Sequence, residues 1–257
     1  MFENTRYFIV DMDGTFYLGD TIIPGADTAL RKVEETGRQY FFFTNNSSNS
    51  VGTCCDRLHN IGFPTPRKKI LMSSYVAADH ILTHHPGKTV YLLGNTNLRA
   101  VMQEMGVPLV REHPDIVLLG FDTSLTYARI WKACRFISNG ALFYATHPDV
   151  NCPVLGGYKP DTGAMIEMFA ASTGVRPVVL GKPTQATVDY LTRKLSCKPT
   201  ELCFIGDRLE TDIRIGADRG IPTVLVLSGA TDEQTLAASH IHPTLVLPSL
   251  ADLVHYL

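Results

Sequence analysis

The sequence predicts an α/β protein: a doubly wound, Rossmann-like parallel-sheet core with a second α/β domain inserted into it. Three observations predict it. Short, near-continuous apolar runs recur at 7–10, 40–43, 90–93, 116–119, 141–145, 178–180, 202–205 and 224–227, the pattern of strands buried on both faces. Amphipathic stretches separate these runs, so strand and helix alternate. Polar residues also gather just after the strands: Asp11 follows Val10, Thr44 follows Phe43, Gly181-Lys182 follows Leu180, and Gly206-Asp207 follows Ile205. Ligands of an open parallel sheet bind beyond the carboxyl ends of its strands, so four distant segments are expected to aim polar groups at one edge of one sheet.

The elements follow in order. Run 7–10 is the first strand. After the Pro24-Gly25 turn, Ala26, Leu30 and Val33 keep helical spacing. Run 40–43 is the next strand, and Ser47, Ser48 and Asn49 are good caps for a helix starting near Ser50. His84-His85-Pro86-Gly87 reads as a turn into the middle of the chain, and residues 174–177 as the way out. Between them lie strands and helices with fewer strand-end carboxylates. The expected division is therefore a core of residues 1–79 and 179–257 with an insert over 80–178. Thr184 then caps a helix carrying Val188, Leu191 and Leu195, and runs 202–205 and 224–227 complete the core.

Bulk properties set limits. A chain of 257 residues has room for a core and an attached domain, and 45% apolar with 19% charged residues is a globular composition. A net charge of -2 supplies no basic excess to draw the chain to nucleic acid or anionic membranes, so a small anionic ligand needs local positive charge. The six cysteines, at 54, 55, 134, 152, 197 and 203, include no C-x-x-C pair, which leaves a zinc ribbon unsupported. Reduced thiols and a cytoplasmic location are expected. The N-terminus shows no basic n-region and no long apolar stretch, so no signal peptide is expected, and no run is long enough to span a bilayer.

Four segments carry chemistry. In Asp11-Met12-Asp13-Gly14-Thr15, two carboxylates two residues apart on an extended strand end can face one cavity. At about 4 Å they repel by roughly 4 kcal/mol at an effective dielectric of 20, which a cation or a shared proton relieves. Hard oxygen ligands with room for water and a phosphate suit Mg²⁺. Gly14 allows a sharp turn that presents N–H groups to an anion, although a solvated D-x-D-G turn reads the same. Thr44-Asn45-Asn46 offers a hydroxyl and two amides to phosphate oxygens, with Asn46 also suited to a polar cap. Lys182 in Gly181-Lys182-Pro183 can stabilise a transferring phosphoryl group. It is no P-loop lysine, because Arg176 stands where glycine is needed and Pro183 where Ser or Thr is needed. Asp207 can be a metal ligand, and Asp212 can hold a metal-bound water, orient Lys182 or favour a helix N-terminus.

Together the ordered set resembles the haloacid dehalogenase superfamily. D-x-D-G-T, a threonine after the second strand, a lysine after a later strand and G-D-x-x-x-x-D occur in that order. With Ala145-Thr146-His147-Pro148-Asp149 the set is similar to the NagD and p-nitrophenyl phosphatase family, class IIA, whose α/β cap lies between the second and third motifs. The resemblance implies a Mg²⁺-dependent phosphatase acting on a small phosphorylated metabolite. It implies that Asp11 is the nucleophile and forms an aspartyl phosphate, and that Asp13 is the acid and then the base. It implies that Asp11, the Asp13 carbonyl and Asp207 hold Mg²⁺, with Asp212 behind them. Gly14, Thr44, Asn45, Asn46 and Lys182 are implied around the phosphoryl oxygens, with Arg208 and Thr211 at the substrate entrance. Relatives can associate through their caps, which leaves a homo-oligomer open. His147 stands where members often carry Asn, and Cys152 where some place a substrate-contacting histidine, so a pyridoxal-phosphate preference does not carry over.

Three rival functions stay open: a phosphotransferase or mutase using the same aspartate, a dehalogenase, for which Asp13 and Asp207 are superfluous, and a non-catalytic binding module on the same fold. A dinucleotide-dependent oxidoreductase lacks its G-x-G-x-x-G.

Overall fold

The computed structural model describes residues 2–154 and 156–257. They divide into two compact units. The first holds the chain up to Thr44, Val51–Leu71 and Leu191–Leu257; the second holds Asn45–Ser50 and Met72–Tyr190.

The first unit is built on a six-stranded sheet in the order Leu245–Leu247, Thr223–Val226, Leu202–Gly206, Tyr7–Val10, Gln39–Thr44, Ile70–Met72. Tyr7–Val10 runs parallel to both neighbours, with Val10 opposite Ile205 on one side and Phe42 on the other. From this central strand the chain winds outward through Gln39–Thr44 to Ile70–Met72. It later returns beside the central strand and winds out the other way. The reversal places the switch point between Tyr7–Val10 and Leu202–Gly206, and Asp11 and Asp207 directly follow those two strands.

Burial explains the apolar runs. Phe8, Val10, Phe42, Phe43, Cys203, Val224 and Leu225 are fully enclosed, as strands covered on both faces must be. The helix Ala26–Glu35 buries Ala26, Ala29, Leu30 and Val33, one face at the expected spacing. Phe16, just after the D-x-D-G turn, packs its ring 4.9 Å from that of Phe42 and 4.8 Å from that of Phe63. This anchors the turn to the core. An antiparallel hairpin, Tyr17–Leu18 with Thr21–Ile22, follows it.

The second unit has its own four-stranded sheet, in the order Val178–Val179, Leu142–Ala145, Ile116–Leu119, Val90–Leu93, with all neighbours parallel. Helices Tyr127–Ser138 and Thr162–Thr173 close over Val117, Leu119 and Phe143 through Ala133, Ile137 and Phe169. An antiparallel hairpin, Asn151–Val154 with Gly157–Pro160, precedes Thr162–Thr173. The segment expected as the insert, 80–178, lies inside this unit.

One expectation needs correction. Val178–Val179 pairs with Leu142–Ala145, and Leu180 continues that ladder by donating to the Ala145 carbonyl at 3.0 Å. Gly181-Lys182 therefore leaves the four-stranded sheet, so three rather than four of the polar strand ends belong to one sheet. An apolar run announces a strand, but only its long-range pairing decides which sheet it joins. Thr184, expected as a cap, precedes the helix Gln185–Leu195, and its hydroxyl donates backward to the Leu180 carbonyl at 2.8 Å.

Candidate active site

Three carboxylates of the first unit converge. Asp11, Asp207 and Asp212 each offer an oxygen, and these oxygens lie within 4.8 Å of one another. The strands place the first two. Asp11 N–H extends the central ladder by donating to the Ile205 carbonyl at 2.9 Å, which aligns the ends of the two strands. A π-helical turn, Leu209–Ile213, places the third: Leu209 and Ile213 pack on Leu225, and Asp212 accepts from the Arg208 N–H at 3.1 Å. Such turns are rare and recur at functional sites.

Asp207 is tightly cradled. Its carboxylate accepts from the Ala230 N–H at 2.7 Å and faces the Thr15 hydroxyl at 3.5 Å, while its carbonyl accepts from the Thr231 hydroxyl at 2.6 Å. Gly14 has φ of 78°, and a Cβ on it would come within 2.3 Å of an Asp207 oxygen, so both its conformation and its closeness to Asp207 require glycine. Burial, then the neighbouring Asp212 charge, push the Asp207 carboxyl up to about 6, against the pull of the Ala230 N–H and the Arg208 charge. Each close pair of charges costs roughly 3–4 kcal/mol at an effective dielectric of 20. Such a cluster invites a hard cation, and three carboxylate oxygens with solvent or phosphate completing the shell match the needs of Mg²⁺.

Asp13 stands apart from that cluster. Its carboxylate accepts from the Tyr17 hydroxyl at 3.2 Å and lies 3.7 Å from the Arg57 guanidinium. The metal contact implied for Asp13 is one of its backbone carbonyl, and its side chain is committed elsewhere. Desolvation raises the Asp13 carboxyl above the usual range, with Arg57, Tyr17 and Arg208 pulling it down. The side chain stays 62% exposed, so solvent screens this shift and it carries no weight in stability. Thr44 ends its strand half-buried, Arg208 is half-buried, and Thr211 is buried in the π-turn.

The second unit holds the remaining residues. The side-chain amide of Asn45 accepts from the Lys182 N–H at 3.0 Å and donates to the Lys182 carbonyl at 3.1 Å and to Asp149 at 2.8 Å. Both N–H groups of that amide are thereby used, so its side chain orders the main chain of buried Lys182 instead of pointing donors at a ligand. Asn46 accepts from the Ser48 N–H at 2.9 Å and from its hydroxyl at 2.7 Å, a turn that stiffens the segment. His147 is fully buried, bonded to the Thr146 hydroxyl at 2.9 Å and to Asp161 at 2.8 Å, and Asp161 also accepts from the N–H of Thr162 at the head of Thr162–Thr173. It is a structural link. Cys152 lies half-buried on the hairpin opposite Lys159.

Sequence reasoning did not single out Tyr17, Arg57 or the 228–231 loop. The loop carried a signal: Ser228-Gly229-Ala230-Thr231 follows run 224–227 as the other polar clusters follow theirs. Tyr17 and Arg57 carried none, because their roles come from tertiary contacts.

Known proteins resemble this chain in sequence and fold. A haloacid dehalogenase-like hydrolase family model matches residues 8–108, and a HAD-hydrolase-like model matches residues 179–253. The 5'-nucleotidase YutF of Bacillus subtilis is 32% identical over 97% of this chain and 98% of its own. An acid sugar phosphatase of Staphylococcus epidermidis is 30% identical over 94% of each chain. Among solved structures, a 4-nitrophenylphosphatase of Thermotoga maritima superimposes with a TM-score of 0.94 at 37% identity, covering 98% of this chain and 97% of that one. NagD of Escherichia coli K-12 does so with a TM-score of 0.89 at 28% identity, covering 96% and 98%. With likeness over almost its whole length, and acidic groups gathered at the switch point of its sheet, this chain belongs to the haloacid dehalogenase-like hydrolases, in their NagD and p-nitrophenyl phosphatase branch of phosphoric monoester hydrolases.

Proposed function

We propose that the chain hydrolyses small phosphate monoesters in the cytoplasm through an aspartyl phosphate on Asp11, with Mg²⁺ as its cofactor. The observation that carries this reading is the meeting of Asp11, Asp207 and Asp212 oxygens within 4.8 Å. The residues that would hold the ion are Asp11, Asp207 and the Asp13 carbonyl, with Asp212 alongside. When bound, the ion neutralises charge around the phosphoryl group.

Asp11 attacks phosphorus, and the bond to the ester oxygen breaks as Asp13 gives that oxygen a proton. Asp13 then takes a proton from water, whose oxygen attacks phosphorus and releases phosphate and the free Asp11 carboxylate. Lys182 supplies positive charge to the phosphoryl oxygens, and Gly14, Thr44 and Asn46 supply neutral donors, as the family resemblance implies, while Asn45 acts through the Lys182 main chain that it holds. Arg208 and Thr211 are assigned to the substrate side by the same resemblance. The 80–178 insert serves as the cap. The six cysteines, all free thiols, support a reducing compartment. The substrate class is supported by relatives named for nucleotide, sugar-phosphate and nitrophenyl-phosphate hydrolysis.

The test is Asp11→Asn assayed with p-nitrophenyl phosphate and Mg²⁺. Activity should fall by about 10³-fold or more, as when a covalent nucleophile is removed. A variant that keeps a tenth or more of wild-type activity overturns the nucleophile.

A further inference from the structure

We propose that Arg57 is a positioning residue: together with Tyr17 it clamps the Asp13 carboxylate in the orientation from which a proton passes to the leaving oxygen. The inference rests on the acid–base reading of Asp13. Each Asp13 oxygen has its own holder. Oδ2 accepts from the Tyr17 hydroxyl at 3.2 Å, and Oδ1 lies 3.7 Å from Nη1 of Arg57. The hydrogen bond to one oxygen and the longer ionic contact to the other together favour one rotation of the carboxylate.

Arg57 is itself fixed. It sits in the last turn of the helix Val51–Asn60, and only 33% of its side chain is exposed. Its guanidinium stacks 4.3 Å from the Tyr17 ring centroid, and Nη1 donates to the Tyr17 hydroxyl at 3.4 Å. Nη2 donates to the Gly19 carbonyl at 2.8 Å and lies 3.8 Å from Asp20. The planar fork thus ties the hairpin after Asp13 to a helix and braces the phenol that holds Asp13. A surface arginine kept for solubility has no reason to make all these contacts, and a lysine could not reproduce the stacked fork. Tyr17 is fixed too, being 3% exposed with its ring packed edge-on against Phe16.

Aligning a proton donor matters most where the leaving oxygen is basic. Phenol has a pKa of about 10, like tyrosine, and needs that proton. Nitrophenolate is a more stable anion and departs with less help. The ratio kcat/KM reports the barrier from free enzyme and substrate, which here is transfer to Asp11. It is to be measured on phenyl phosphate and p-nitrophenyl phosphate, with Mg²⁺, for the wild type, Arg57→Gln, Arg57→Lys, Tyr17→Phe and Asp13→Asn.

Arg57→Gln should lose about tenfold on phenyl phosphate and less than about threefold on p-nitrophenyl phosphate, a part of the 10²–10⁴ that general acids contribute. Arg57→Lys should fall between Arg57→Gln and wild type. Tyr17→Phe, which removes one oxygen and keeps the packed ring, should lose about threefold with the same selectivity. If Arg57→Gln does not fold, Tyr17→Phe decides alone. Equal losses on both substrates, the result for a strap that only holds the fold, overturn the proposal, as does no loss. Asp13→Asn separates the two readings. If it keeps activity on phenyl phosphate, the acid–base reading itself falls. If it loses activity selectively while the Arg57 and Tyr17 variants do not, only the clamp falls.

Discussion

Asn45 shows how one side chain can matter to the chemistry without touching the ligand. Its amide closes a reciprocal pair with the Lys182 main chain and adds a charge-assisted bond to Asp149, all with Asn45 only 8% exposed. Truncation leaves the Lys182 N–H and carbonyl without these partners in a buried place. Asn45→Ala should therefore cost about 1–3 kcal/mol of stability, the penalty of unsatisfied buried groups, and the amine of Lys182 should lose its fixed origin. We expect kcat to fall by about tenfold or more with KM less affected, since the loss falls on a group assigned to the transferring phosphoryl. Urea unfolding and steady-state kinetics read the two effects. Unchanged stability and kcat would mean that these hydrogen bonds do not order Lys182.

At the scale of elements, the turn after the central strand is the tightest constraint. Gly14 occupies left-handed backbone, its carbonyl accepts from the Ser228 hydroxyl at 2.8 Å, and its missing side chain leaves room for Asp207. Gly14→Ala adds about 1–2 kcal/mol of backbone strain and forces the Asp207 carboxylate to move. The protein should still fold, because Phe16 keeps its place against Phe42 and Phe63. Mg²⁺ affinity should drop by about tenfold or more, as when the support of a ligating group is lost, and titration calorimetry measures it. Affinity equal to wild type would show that Asp207 does not need this space. The same scale shows what the residues could disclose beforehand. Runs such as 7–10 and 202–205 are legible because a strand covered on both faces must be apolar throughout, and Asp11 and Asp207 are legible because they interrupt such runs at their ends. Short edge strands such as Ile70–Met72 and Leu245–Leu247, and the hairpins, were not legible, since they are held by pairing with distant partners rather than by their own pattern. The π-turn that carries Asp212 was likewise hidden. The spacing from Asp207 to Asp212 gives the chemistry, but the turn depends on Leu209 and Ile213 seating on Leu225.

For the whole molecule, the acidic cluster is a local repulsion that a bound cation would relieve. The net charge of -2 is too small to impose this, and the repulsion is local to Asp11, Asp207 and Asp212. Mg²⁺ at 100 times its Kd should add about 2.7 kcal/mol, a Tm rise of roughly 5–10 °C for a chain of this size. Acid should do part of the same work in metal-free protein. The Asp207 carboxyl is raised from 3.8 to about 6, so the folded state takes up its proton before the unfolded state does. Its stabilising effect is complete below the unfolded value and is lost as pH rises through about 6, which places the window between pH 4 and 6. Asp115, held down at about 2 by Lys88 and Thr89, adds slope only toward the acid end of that window, and does so equally in wild type and Asp207→Asn. The other titratable groups are common to wild type and Asp207→Asn, so the difference between the two reports the Asp207 carboxyl together with its coupling to Asp212. Metal-free Asp207→Asn should therefore melt above wild type at pH 7, approach it at pH 4, and gain little from Mg²⁺. Thermal melts of both proteins with and without the ion decide the matter. If wild type gains nothing from Mg²⁺, and Asp207→Asn melts no higher than wild type in its absence, the cluster is not a strained cation site and the metal-dependent reading of the chain loses its physical basis.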